Sequence, residues 1–82
     1  MDLHDYQYTD KDGRTAYVRI AVESQDDHFV ATSIPIDGDG RPLAEGAAMA
    51  PRFYGLTKSQ ALRRMTDALE NSHEDLRPRE AM

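Results

Sequence analysis

Thr57-Lys58-Ser59-Gln60-Ala61-Leu62-Arg63-Arg64-Met65-Thr66-Asp67-Ala68-Leu69-Glu70-Asn71-Ser72-His73-Glu74-Asp75-Leu76 is the one long segment whose apolar residues recur with helical period. Ala61, Leu62, Met65, Ala68, Leu69, Ser72 and Leu76 fall on one face, and Lys58, Arg63, Arg64, Asp67, Glu70 and Asn71 on the other. Thr57 is a good N-cap, and Gln60 three residues on completes a capping box. Arg63 and Asp67 are spaced as an i,i+4 ion pair. Pro78 stops the helix, because the residue before a proline disfavours helical geometry. The pattern therefore predicts a helix over 57–76, with residues 77–82 as a frayed tail. The alanines of the stripe permit a close approach to a sheet, with Met65 and Leu69 supplying most of the buried area.

Everything before this helix reads as short strands. Tyr6-Gln7-Tyr8 opens one. Asp10-Lys11-Asp12-Gly13-Arg14 is a hairpin signal, and Thr15–Glu23 alternates, with Val18, Ile20 and Val22 on one side and Tyr17, Arg19, Ala21 and Glu23 on the other. Ser24–His28 is a polar turn, and Phe29–Ile36 is the next strand. There Val30, Ile34 and Ile36 are expected to face the helix and Phe29 and Ala31 to point away. Pro35 marks a strand end or an edge. Asp37–Pro42 is a loop by composition. Ala47–Tyr54 is a candidate fourth strand, with Met49 and Phe53 inward, Pro51 as an edge or kink, and Gly55 breaking the chain before the helix. The expected fold class is α+β: a three- or four-stranded, mainly antiparallel sheet with one C-terminal helix packed on one face, as a single domain over 1–76.

The chain has 82 residues, a net charge of −5 and no cysteine. A domain this small buries only ~60% of its unfolded surface, so self-association into a homo-oligomer is an expected source of extra stability. Without cysteine there is no disulfide framework or thiolate metal site, which suits a reducing, cytoplasmic setting. Met1-Asp2-Leu3-His4-Asp5 is not read as a signal peptide, and no apolar run is long enough to span a membrane. Residues 1–40 carry nine acids and three bases, whereas residues 41–82 carry six acids and seven bases. Such a balance disfavours a nucleic-acid backbone and suits a basic protein surface.

Asp-x-Asp-Gly-Arg occurs twice, at Asp10–Arg14 and Asp37–Arg41. An EF-hand loop needs an acid at its first position and a glutamate at its twelfth. With Gly13 at the sixth position those places hold Tyr8 and Arg19, and with Gly40 there they hold Pro35 and Gly46. Both stretches read instead as hairpin turns. His4, His28 and His73 lack metal-ligand spacing, the serines lack a nucleophile-elbow setting, and no Gly-rich loop leads into a helix. Neither enzymatic activity nor a metal or cofactor is expected. Tyr17, Arg19 and Phe29 are expected to share the sheet face away from the helix. Two readings compete there: a platform for stacking single-stranded RNA or DNA, or a patch for dimerisation or protein binding. The acidic balance favours the second.

From Tyr17 to Leu69 the chain resembles the HicB-like antitoxin domain family. The residues that carry the likeness are Tyr17-Val18-Arg19-Ile20, the polar turn Asp26-Asp27-His28, Phe29-Val30-Ala31-Thr32-Ser33-Ile34-Pro35, the step Gly55-Leu56-Thr57, and Ala61-Leu62 with Ala68-Leu69. The family's Pro-Asp-Leu-Pro-Gly is replaced here by Pro35-Ile36-Asp37-Gly38-Asp39-Gly40, and the N-terminal strand around Tyr6–Tyr8 is additional. The family often places a short strand after the helix, where this chain shows no strand pattern. The resemblance implies a β-β-β-α layer that binds and blocks a small, basic, RNA-cleaving toxin. Candidate partner-binding residues are Tyr17, Arg19 and Phe29 on the sheet, Asp26 and Asp27 in the turn, and Arg63 and Arg64 on the wet face of the helix. A small phage- or mobile-element-encoded inhibitor of a host nucleic-acid enzyme is a further alternative.

Overall fold

The computed structural model describes residues 1–43 and 51–79. Its elements are β1 (Asp2–Thr9), β2 (Thr15–Gln25), β3 (His28–Ile36), β4 (Phe53–Gly55), α1 (Lys58–Ser72) and β5 (Glu74–Pro78). They form an α+β fold: a five-stranded antiparallel sheet in the order β4-β3-β2-β1-β5 with one helix near the C-terminus. β4 and β5 occupy opposite edges, so the helix between them must cross the sheet. Its 15 residues span about 22 Å at the α-helical rise. Four inter-strand spacings span about 19 Å, so the crossing needs no further chain. This geometry seats α1 over the central strands.

Local chemistry explains the turns. In both Asp-x-Asp-Gly-Arg stretches the first carboxylate accepts two backbone N–H groups at 2.9 Å: Asp12 and Arg14 on Asp10 Oδ1, Asp39 and Arg41 on Asp37 Oδ1. Gly13 and Gly40 adopt φ +79° and +84°, values that suit glycine because no Cβ meets the following carbonyl. Each turn is closed by the first aspartate donating its N–H to the arginine carbonyl at 2.9 Å, so the loop is three residues long. Between β2 and β3 the turn is only two residues, Asp26-Asp27, with Gln25 paired to His28 and Asp26 at φ +50°.

That two-residue turn fixes the faces of β3. Ser24 pairs with Phe29 and Val22 with Ala31, so Phe29 and Ala31 face the helix with Ile20 and Val22. The expected faces of β3 are therefore reversed: Val30, Thr32, Ile34 and Ile36 lie on the other side, with Tyr17 and Arg19. A strand with apolar residues in both phases gives period-2 patterning no preferred side, and the register decides. The core under the helix is Ile20, Val22, Ala31, Ala61 and Met65, ringed by Tyr6, Phe29, Phe53, Leu62 and Leu69. Met65 is wholly buried, while Leu69 is only partly covered.

Gln60 N–H donates to Thr57 Oγ1 at 3.0 Å, and the Gln60 side chain accepts the Leu56 N–H at 2.7 Å, so the capping box forms one residue further out than expected. The helix ends at Ser72, where the His73 N–H closes on the Leu69 carbonyl. Asp75 then takes φ +56° and the chain turns into β5, which pairs with β1 through Gln7–Arg77 and Tyr6–Pro78. The end of the expected helix to Leu76 and the first residues of the expected 77–82 tail are thus replaced by an edge strand over Glu74–Pro78. At the other edge, β4 covers only Phe53–Gly55. Pro51 lies outside it, and Met49 lies outside the described residues. No helix among the described residues is long and apolar enough to cross a membrane.

Candidate interaction surface

The sheet face away from the helix is built from alternate residues of four strands. Leu3, Asp5 and Gln7 of β1 lie beside Ala21, Arg19 and Tyr17 of β2, followed by Thr32, Ile34 and Ile36 of β3, with Val30 beside Tyr54 of β4. Register brings Asp5 opposite Arg19, and the two pair through Arg19 Nε to Asp5 Oδ1 at 2.7 Å and Arg19 Nη2 to Asp5 Oδ2 at 3.0 Å. Their side chains are 29% and 26% exposed, so water screens the pair only in part. The hydrogen bond from Arg19 holds the Asp5 carboxyl below the usual carboxylate range, and the same bond raises Arg19.

One end of this face is closed over. The Asp37–Arg41 loop lies across Tyr17 and Arg19: a Cβ on Gly38 would sit 3.8 Å from the Tyr17 ring, and one on Gly40 3.3 Å from Arg19 Nη2. Arg79 completes the closure. Its N–H donates to the Asp5 carbonyl at 2.8 Å, its guanidinium donates to the Gly38 carbonyl, and that guanidinium lies 4.4 Å from the centre of the Tyr17 ring. Beneath the loop Ile36 is buried. Towards the other end Leu3 and Tyr54 are exposed at 55% and 47%.

Acidic side chains gather at the closed end. The Asp10–Arg14 turn, the Asp37–Arg41 loop and the start of β5 all lie there, because Tyr17 pairs with Ile36 and Thr9 with Glu74. Asp12, Asp39, Glu74 and Asp75 are exposed among them, interleaved with the exposed Lys11, Arg14, Arg41 and Arg77. Backbone N–H groups, led by that of Arg41, hold the Asp37 carboxyl below its ordinary range.

The sequence candidates are distributed as follows. Tyr17 and Arg19 do share the outer face. Phe29 does not join them: it packs into the core under the helix, because the two-residue turn places it beside Ser24. Asp26 and Asp27 sit at the opposite end of the sheet from the acidic turns, with Asp27 Oδ1 3.3 Å from His28 Nδ1. Arg63 and Arg64 are exposed on the helix layer, where Arg64 Nη1 donates to the Tyr54 carbonyl at 2.5 Å. The i,i+4 pair expected between Arg63 and Asp67 is not among the ion pairs of the described residues, which join Arg19 to Asp5 and Lys58 to Asp2. Sequence reasoning missed Asp5 and Arg79. Extending the Thr9–Thr15 pairing inward would have placed Asp5 opposite Arg19, whereas nothing local announces Arg79.

Among the described residues no group of three or more His, Cys, Asp or Glu side chains is arranged to hold a metal ion. Tyr6 and Tyr8 are raised above the ordinary phenol range chiefly by burial, and Tyr8 stacks on His73 with ring centres 4.0 Å apart, which makes it a packing residue at the helix end. Comparison of the chain with protein-family models, with curated proteins and with solved structures finds no match.

Proposed function

We propose that the protein is a non-catalytic protein-binding domain that acts in the manner of a HicB-like antitoxin, neutralising a small, basic, RNA-cleaving protein. The observation that carries this reading is the charge of the chain, net −5 with nine acids against three bases in residues 1–40, some of it presented as exposed carboxylates on two aspartate turns that share one hydrogen-bond pattern. Long-range attraction to a basic partner speeds encounter and disfavours other acidic proteins. The element order from β2 onward supports the same reading. It runs strand, polar turn, strand, short strand, Gly-x-Thr step, capped helix, and then the short strand after the helix that the sequence had not suggested. Action in the cytoplasm and assembly as a homo-oligomer belong to this proposal.

Nucleic-acid stacking is less well served by this geometry. Phe29 is absent from the outer face, and Arg79 covers the Tyr17 ring that a base would need. Co-expression with the neighbouring reading frame tests the proposal. The expected result is that the frame is toxic alone, is tolerated with this chain, and co-purifies with it. A harmless frame whose product does not co-purify would count against the proposal.

A further inference from the structure

We infer that the outer edge of β4 is a docking site for an extended, acidic segment of a partner protein, which adds as a further strand beside Tyr54 and sets a carboxylate on Arg64. This goes beyond the antitoxin-like reading, which places a basic partner at the other end of the sheet. A sheet edge offers unpaired N–H and C=O groups, and proteins blunt such edges with proline, bulges or charge. The β5 edge is blunted in this way: Pro78 lacks a donor, and Asp75 at φ +56° breaks the strand's regularity. β4, Phe53-Tyr54-Gly55, is only three residues long but holds no proline, charge or positive-φ residue of its own. It has β3 on one side and no strand on the other among the described residues.

Two features prepare this edge for a visitor. The Tyr54 carbonyl takes its hydrogen bond from the side chain of Arg64, at 2.5 Å, in place of a neighbouring strand. An incoming N–H can take over that carbonyl, and the displaced guanidinium is then free for a carboxylate, the partner it binds most strongly. Beside it lies a shallow depression whose lining includes His28, Leu56, Gln60 and Arg64. Leu56 is 76% exposed there, and Tyr54 leans on His28 with ring centres 5.5 Å apart. Strand addition takes its affinity from the main chain and its specificity from such side-chain pockets.

Charge selects the occupant. Arg52, directly before β4, and Arg64, on the Tyr54 carbonyl, flank the edge and are exposed, on a chain whose net charge is −5. The acids nearby are Asp27, whose Oδ1 lies 3.3 Å from His28 Nδ1, Glu23, which lines a depression with Arg52, and Asp67 one turn along the helix from Arg64. An acidic segment gains at this edge, whereas a basic one meets the guanidinium groups of Arg52 and Arg64.

The test uses the full chain, labelled with nitrogen-15, and an acetylated Val-Glu-Val-Asp-Val-Glu peptide amide as the probe. Expected are amide shift changes centred on Tyr54, Gly55 and Leu56. The matching peptide with lysines in place of the acids should bind at least about tenfold more weakly, as should the acidic peptide to Arg64→Glu. Arg64→Gln is the second variant, in case the glutamate disturbs folding. The inference is overturned by shifts confined to β5 or the outer sheet face, by equal binding of the two peptides, or by no shifts at millimolar peptide. Sedimentation showing that Arg64 instead mediates self-association would overturn it as well.

Discussion

Gly55→Ala is the sharpest perturbation of this fold. A Cβ built on Gly55 would lie 2.6 Å from the Ala61 backbone nitrogen, 3.0 Å from Gln60 Cβ and 3.1 Å from Ala61 Cα. Carbon contacts are comfortable at about 3.5–4.0 Å, so the first turn of α1 has to retreat by roughly 0.5–1 Å. Two of the three obstacles are helix backbone, which no rotamer change can move. Forcing an extra methyl into such a site costs about 1–3 kcal/mol. The retreat also strains the cap, since Gln60 is both the donor to Thr57 and the acceptor from Leu56. For a domain of this size each kcal/mol shifts the melting temperature by about 4–8 °C, so Gly55→Ala should lower it by about 4–24 °C. Thermal denaturation followed by far-UV circular dichroism reads this directly. Gly13→Ala is the control: its Cβ meets nothing within 4 Å, but its φ of +79° is unfavourable to alanine, for a cost of about 1 kcal/mol. A Gly55→Ala protein that melts within about 2 °C of the parent would refute the close packing of β4 against α1.

Met65→Ala should cost about 2–5 kcal/mol in urea denaturation and exceed Leu69→Ala, since Met65 is wholly buried and Leu69 is not. Thr57→Ala removes the acceptor of the Gln60 N–H and should cost about 0.5–2 kcal/mol in the same assay. Asp5 has a folded pKa below its unfolded value, so its contribution is present above the unfolded pKa of 3.8 and is lost as pH falls through the lower, folded one. Acid-unfolding curves of Asp5→Asn should therefore flatten below about pH 4 relative to the parent, which retains the Arg19 pair down to lower pH.

Local chemistry made part of this molecule legible. Thr57 and Gln60 declare the helix start, and Asp10-Lys11-Asp12-Gly13-Arg14 and Asp37-Gly38-Asp39-Gly40-Arg41 declare their turns, because the hydrogen bonds that make them span only two to four residues. What escaped is set at a distance. The side of β3 follows from a two-residue turn, and Phe29 was misplaced when Ser24–His28 was read as the loop. β5 shows a single apolar residue, Leu76, ahead of a proline, and exists because β1 offers it an edge. The candidate surface was half visible: Tyr17 and Arg19 follow from alternation in β2, whereas Asp5 needs the register and Arg79 needs the whole topology.

A calorimetric titration of the purified chain with the purified product of the neighbouring reading frame tests the proposed function most directly. The account predicts saturable binding that weakens at higher ionic strength, as the Debye length falls from about 10 Å at 0.1 M towards 3 Å at 1 M. It also predicts at least about tenfold weaker binding for the double variant Asp12→Lys, Asp39→Lys, whose exposed side chains bear on the acidic end without touching the core. Absence of binding, or affinity indifferent both to salt and to the charge reversal, would contradict it.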